Sequence, residues 1–252
     1  MEWKFLETET WNGTNWTEVN DLNDGRYTLA GAGTQTSALG FGGTTPGATA
    51  NTELWNGTNW TEVNNLNTAR SFLGGCGVDN TSALAFGSPS SAATELWNGT
   101  NWTETTDLST GRGGAASSGN ATSGLFAGGE GPSQTDSSFW PRTEEWTGAG
   151  AAVGGWSTGG SLNLARNVLA GAGTYTAVLG FGGNESPGIS GKTESYNGVS
   201  WTELNDLNDS RSGLSGAGVT NTAALAFGGD SPPTTTNTET WNGTNWTEVN
   251  NL

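Results

Sequence analysis

The stretch Trp11–Trp16, W-N-G-T-N-W, decides the fold, because the chain keeps returning to it. Copies or variants stand at Trp55–Trp60, Trp97–Trp102, Trp146–Trp156 (expanded), Tyr196–Trp201 and Trp241–Trp246, and their closing tryptophans lie 44, 42, 54, 45 and 45 residues apart. A period in the forties with several short apolar segments per unit marks a repeat architecture, most often a β-propeller. Asn-Gly between two short aromatic runs is a strong hairpin signal, so each copy reads as two antiparallel strands joined by a tight turn.

The rest of a unit is visible between Arg26 and Leu66. Tyr27–Thr34 is a run of small and apolar residues; Ser37–Gly43 is a second, ended by glycines; then follow a loop, Thr52–Trp55, the turn and Trp60–Val63. Four short strands, A to D, make one antiparallel sheet. Small residues in A and B suit strands crowded at an axis, and the aromatics of C and D suit the wider periphery, where neighbouring sheets must be filled by bulk.

These positions carry a resemblance. Arg26, Arg70, Arg112, Arg166 and Arg211 open strand A, Gly42-Gly43, Gly128-Gly129, Gly182-Gly183 and Gly228-Gly229 end strand B (Gly87-Ser88 is the weakened copy), an aromatic closes C and a Trp opens D. The pattern covers nearly the whole chain and resembles the Kelch repeat, the family that includes galactose-oxidase-like central domains. The threonine- and asparagine-rich wording also resembles repetitive Kelch-like proteins of aquatic bacteriophages. The resemblance implies that the B–C and D–A loops share one face.

The units do not add up evenly. There are five A–B pairs and six C–D pairs, and Thr8–Asn20 repeats Thr238–Asn250 residue for residue. A six-bladed ring would hold one blade without inner strands and a hole at its axis. The expectation is therefore an all-β, five-bladed propeller of four-stranded antiparallel blades over residues 1–252. Its repeats start near 26, 70, 112, 166 and 211, with a surplus outer hairpin at 1–22. The two identical hairpins compete for one slot, or the spare pairs with another chain.

Composition narrows the chemistry. Hydrophobic residues are 32%, and the 42 glycines bring the small-plus-apolar share to about half, the globular norm. With 8 basic against 24 acidic residues the net charge is −16, which disfavours nucleic acid and anionic lipid as partners. The absence of histidine removes His-based triads and His-bound metals, galactose-oxidase-like copper chemistry included. Cys76, alone, reads as a small buried residue rather than a reactive thiol. Neither a signal peptide nor a membrane-length apolar run is visible. No cofactor and no metal site are expected.

Function is sought in the B–C loops, diverse where the strands are uniform: 44–51, 88–93, 130–142, 184–192 and 230–237. The third places Phe139, Trp140 and Arg142 outside the repeat pattern, either to stack on a sugar ring or to fold back over the blade edge. Its blade also lengthens the C–D turn to Thr147–Gly155. Glu130, Glu185 and Asp230 follow three glycine-rich strand ends and would project toward the same face, as solvated groups, a calcium site or paired catalytic carboxylates. The arginines read as structural partners of the W-T-E glutamates Glu18, Glu62, Glu104, Glu203 and Glu248.

The leading reading is a non-enzymatic recognition module, extracellular or virion-borne, for a glycan or cell-surface ligand. The alternatives are a purely structural array that self-associates through the spare hairpin, and a glycoside hydrolase or lyase using channel carboxylates.

Overall fold

The computed structural model describes residues 7–132, 139–148, 154–231 and 234–252. The middle of the third B–C loop, part of the fifth and most of the lengthened C–D turn lie outside the described residues. All assigned elements are strands. Blade 1 comprises Ala30–Thr34, Ser37–Phe41, Thr52–Trp55 and Trp60–Val63; blade 2 Gly74–Asp79, Ser82–Ser88, Ser91–Trp97 and Trp102–Glu104. Blade 3 comprises Ala116–Asn120, Ser123–Ala127, Thr143–Thr147 and Gly155–Gly159; blade 4 Ala170–Thr174, Ala177–Phe181, Thr193–Tyr196 and Trp201–Glu203. Blade 5 comprises Ser215–Thr220, Ala223–Phe227, Thr238–Trp241 and Trp246–Val249. Each is an antiparallel sheet in the order A-B-C-D, so the fold is the expected five-bladed propeller.

The composition of each strand follows from its radius. The A strands stand closest to the axis and enclose a channel of about 690 Å³ lined by glycine, alanine and a tier of leucines. There is no room for more: a Cβ on Gly74 would stand 2.4 Å from the Phe86 ring and 2.8 Å from that of Phe126. Strand A begins later than the sequence suggests, at Ala30 rather than Tyr27. Two residues after each arginine the backbone is left-handed, with φ near +50 to +60° at Thr28, Phe72, Gly114, Val168 and Gly213. That conformation, which side chains resist, ends the approach to the strand. These residues join neighbouring blades by backbone bonds, each N–H donating to the preceding blade's carbonyl: Phe72 to Thr28, Gly114 to Phe72, Val168 to Gly114 and Gly213 to Val168.

Farther out, aromatics fill the widening wedge. The first and last residues of each W-N-G-T-N-W pack on each other, with centroids 5.3 Å apart for Trp55–Trp60 and Trp97–Trp102. The closing Trp also meets the strand-B phenylalanine of the preceding blade, as in Phe41–Trp102 at 5.0 Å and Phe181–Trp246 at 4.9 Å. Its indole N–H donates to a strand-C threonine of that same blade, Trp102 to Thr52 and Trp246 to Thr193 among them.

The arginines are structural, but their partners are not the W-T-E glutamates. Arg26, Arg70, Arg112, Arg166 and Arg211 are buried and pair with the strand-C glutamates Glu53, Glu95, Glu144, Glu194 and Glu239. The reason is reach. Each guanidinium also donates to a strand-B carbonyl or the glycine at its end, as Arg26 does to Gly40 and Arg166 to Gly182. Strand D lies one strand spacing, about 4.8 Å, beyond C, and its glutamates are exposed. The same strand-C carboxylates cap the residue three before each arginine, Asn23, Asn67, Ser109, Asn163 and Asn208, by accepting its backbone N–H. An N/S-x-x-R clamp thus fixes the D–A loop of every blade.

The identical hairpins do not compete for one slot. Thr238–Trp241 and Trp246–Val249 complete blade 5, whereas Thr8–Trp11 and Trp16–Val19 form a separate two-stranded sheet between blades 5 and 1. Trp16 donates to Thr238 and Trp60 donates to Thr8, each at 3.1 Å. Asn250 reaches the Thr14 carbonyl on one side of the hairpin, and Asn20 reaches that of Thr58 on the other. The outer ring therefore has six stations, and the inner ring has five.

Candidate functional site

The D–A and B–C segments do share a face. Isolated bridges join them at Tyr27 with Thr44, Gly113 with Glu130, Asn167 with Asn184, and Ser212 with Asp230. The fourth loop folds into a hairpin of its own, Asn184–Glu185 against Gly188–Ile189. Against it stands Phe139, half-buried, and together they line a cleft of about 340 Å³ between blades 3 and 4. Two of the six candidate residues, Phe139 and Glu185, are thus brought to one site. The cleft offers an aromatic ring, the Ile189 side chain and the polar groups of Asn184, Glu185 and Ser186.

The other candidates fall elsewhere. Trp140 folds back: its backbone N–H donates to the Gly129 carbonyl at 2.9 Å, and its ring lies so close over Gly131 that a Cβ there would stand 2.5 Å away. The exposed Arg142 lays its guanidinium on the same indole, 4.7 Å from the ring centroid. The pair braces the loop that presents Phe139. Glu130 accepts from the Asn167 amide at 2.7 Å. Glu185 accepts from the Ser190 hydroxyl at 3.2 Å, which fixes the carboxylate at the cleft wall. Asp230 is exposed, and its backbone bridges both Ser212 and Thr234.

Sequence reasoning did not single out Asn184, Ile189 or Asn167. The signal for the first two was the Ser186-Pro187-Gly188 turn within a variable loop, which marks a short hairpin. Asn167 is buried with its Oδ1 unpartnered, one bridge from Asn184. Nothing in the sequence set it apart from the chain's many other asparagines.

The channel has a different chemistry. Among the described residues its lining carries no carboxylate, and its one thiol, Cys76, donates to the Asn120 carbonyl. Burial pushes that thiol up to about 12, which keeps it protonated and unreactive at neutral pH. The arginine ring offers the channel no free charge, because each guanidinium is buried and held by a strand-C carboxylate. Among the described residues no three acidic or sulfur ligands gather as a metal site. Nor do the described residues form a helix long and apolar enough to cross a membrane.

No protein-family model and no curated protein matches this sequence. The class is therefore defined by the structure itself: a five-bladed β-propeller with an added outer hairpin and one face of dissimilar loops. Such a scaffold supports a recognition module.

Proposed function

We propose that the protein is a non-enzymatic recognition module that binds carbohydrate at the cleft between the third and fourth B–C loops. The observation that carries this reading is the convergence of Phe139 and Glu185 on one concavity. An aromatic face takes the apolar side of a sugar ring, while a fixed carboxylate and the Asn184 amide exchange hydrogen bonds with its hydroxyls. Trp140 and Arg142 support the site by bracing the loop; Glu130 and Asp230 lie beside it on the same face. The carboxylate-free channel lining favours binding over hydrolysis or lyase chemistry. The repeat pattern supports a Kelch-type relation. The acidic surface and phage-like wording support an extracellular or virion setting, without nucleic-acid or membrane partners.

A glycan array tests the proposal, with Phe139→Ala run beside the parent. The expected result is selective glycan binding that falls at least tenfold in the variant. A silent array with folded protein, or binding indifferent to Phe139, overturns it.

A further inference from the structure

The unequal rings leave a slot at the sixth station, and that slot has a defined shape. Between blades 5 and 1, inside the hairpin 8–19, lies a cavity of about 650 Å³ lined largely by apolar surface, including Trp11, Trp16, Trp55, Trp60, Phe227 and Trp241. Neighbouring A strands pack on one another from blade 1 through blade 5, but Ser215–Thr220 and Ala30–Thr34 do not close the circle. The exposure follows. Ala172 of blade 4 is buried while its counterpart in blade 5, Ala217, is exposed; Val219 is 79% exposed.

We infer that this slot receives the inner half of a sixth blade: an A–B β-hairpin of this chain's own repeat type, supplied by a repeat other than the five in residues 1–252. Four independent features specify that occupant. The first is charge. Glu9 is the counterpart of Glu239 in the identical hairpin; Glu239 is buried between Arg211 and Asn208, while Glu9 is exposed. An N-x-x-R segment is what it lacks. The second is the strand edge. In complete blades the Trp11 position pairs with a small or β-branched residue of strand B, Ala38 with Trp55 and Ala224 with Trp241. Here the Trp11 carbonyl accepts instead from the Gln35 side-chain amide at 2.8 Å.

The third feature is aromatic. Trp16 has its phenylalanine from the preceding blade, Phe227, at 4.8 Å. Trp60 packs on Trp55 of its own blade and would take its phenylalanine from a sixth strand B. The fourth is the backbone chain around the channel mouth, which runs from Thr28 to Gly213 in four bonds and stops there. A left-handed residue following a sixth arginine would bridge Gly213 to Thr28. Arg, a left-handed turn, a small residue and Phe are the features of one A–B segment in their sequence order, as Arg26, Thr28, Ala38 and Phe41 are in blade 1, and no small molecule supplies all four. The inference is independent of the loop-face reading, since the two sites share no residue.

A synthetic peptide of residues 23–51, the segment that precedes the equivalent Thr52, is the probe. Titrated calorimetrically into the full chain, it is expected to bind one to one. A peptide with Arg26→Ala, or the protein with Glu9→Gln, weakens binding at least tenfold; Glu9 is exposed and without a buried role, so the variant folds. Joining the same segment ahead of Thr8 is expected to raise Tm by several degrees, an arm that serves if the free peptide aggregates. Absent binding together with an unchanged Tm overturns the inference, as does equal binding of a scrambled peptide or indifference to Glu9→Gln. A concentration-dependent dimer that excludes the peptide assigns the slot to a second copy and overturns it too.

Discussion

The indole N–H of Trp16 donates to the hydroxyl of Thr238 across 3.1 Å, joining residues 222 positions apart. This bond seats the N-terminal hairpin on blade 5 and gives the outer circle its sixth station. Trp246 makes the equivalent bond to Thr193 between two complete blades. The two tryptophans have the same sequence context and different support, and that difference predicts different failures.

Trp246→Ala removes a buried indole packed on Phe181, a truncation that costs about 3–5 kcal/mol, and is expected to lower the global unfolding midpoint. Trp16→Ala is expected to release the hairpin while the five blades stay folded. Limited proteolysis should cut near residues 20–25 in the Trp16 variant with little loss of Tm. An equal fall in Tm for both would show the hairpin to be integral to the cooperative unit.

The Arg166–Glu194 pair, at 2.9 Å and with both side chains almost wholly shielded, predicts a second asymmetry. Glu194→Gln leaves a guanidinium buried among neutral acceptors alone, the carbonyls of Gly182 and Lys192 and the new amide, and is expected to cost about 3–5 kcal/mol. Replacing both partners with apolar residues, Arg166→Met with Glu194→Leu, is expected to recover a large part of that loss, because no uncompensated charge remains. Urea denaturation of the two variants and the parent decides it.

How much of this was legible beforehand depended on the range of the interaction. The C and D strands of blade 1, Thr52–Trp55 and Trp60–Val63, could be read to the residue because Asn-Gly fixes a local hairpin. The partner of Arg26 was misread, since choosing Glu53 over Glu62 depends on which strand stands one spacing nearer the arginine. The place of the first hairpin was equally hidden: Thr8–Asn20 and Thr238–Asn250 are identical, so only the ring distinguishes them. At the candidate site, Phe139 and Glu185 could be named singly, but not paired. The two residues lie 46 positions apart, and only the packing of blade 4 on blade 3 brings them together.

The glycines of strands and loops predict opposite tolerance. Gly74→Ala places a methyl group inside the contact distance of two phenylalanine rings, and overpacking of this kind costs about 1–3 kcal/mol. Gly47, in the first B–C loop, has nothing within 4 Å of an added Cβ and no left-handed φ. Gly47→Ala is expected to leave the unfolding midpoint unchanged, or to raise it slightly by restricting the unfolded chain. Thermal melts of the two variants side by side make the comparison, and equal effects would contradict the crowding argument.

Blade 4 replaces the opening Trp of the motif with Tyr196, and its neighbour gives the reason. In blades 1, 2, 3 and 5 that Trp donates to a carbonyl of its own A–B turn, as Trp55 does to Gln35. Tyr196 instead donates across the blade interface to the carboxylate of Glu145. Burial, then the hydrogen bond to Glu145, pushes the phenol up to about 12 from its ordinary 10. The folded protein keeps a proton that the unfolded chain gives up. The stabilisation is therefore complete below pH 10, falls as pH climbs from about 10 to 12, and levels off beyond. Tyr196→Phe is expected to be less stable than the parent at pH 8 and to show a shallower decline in denaturation midpoint across that window. A slope identical to the parent's would mean that the alkaline loss of stability arises at other groups.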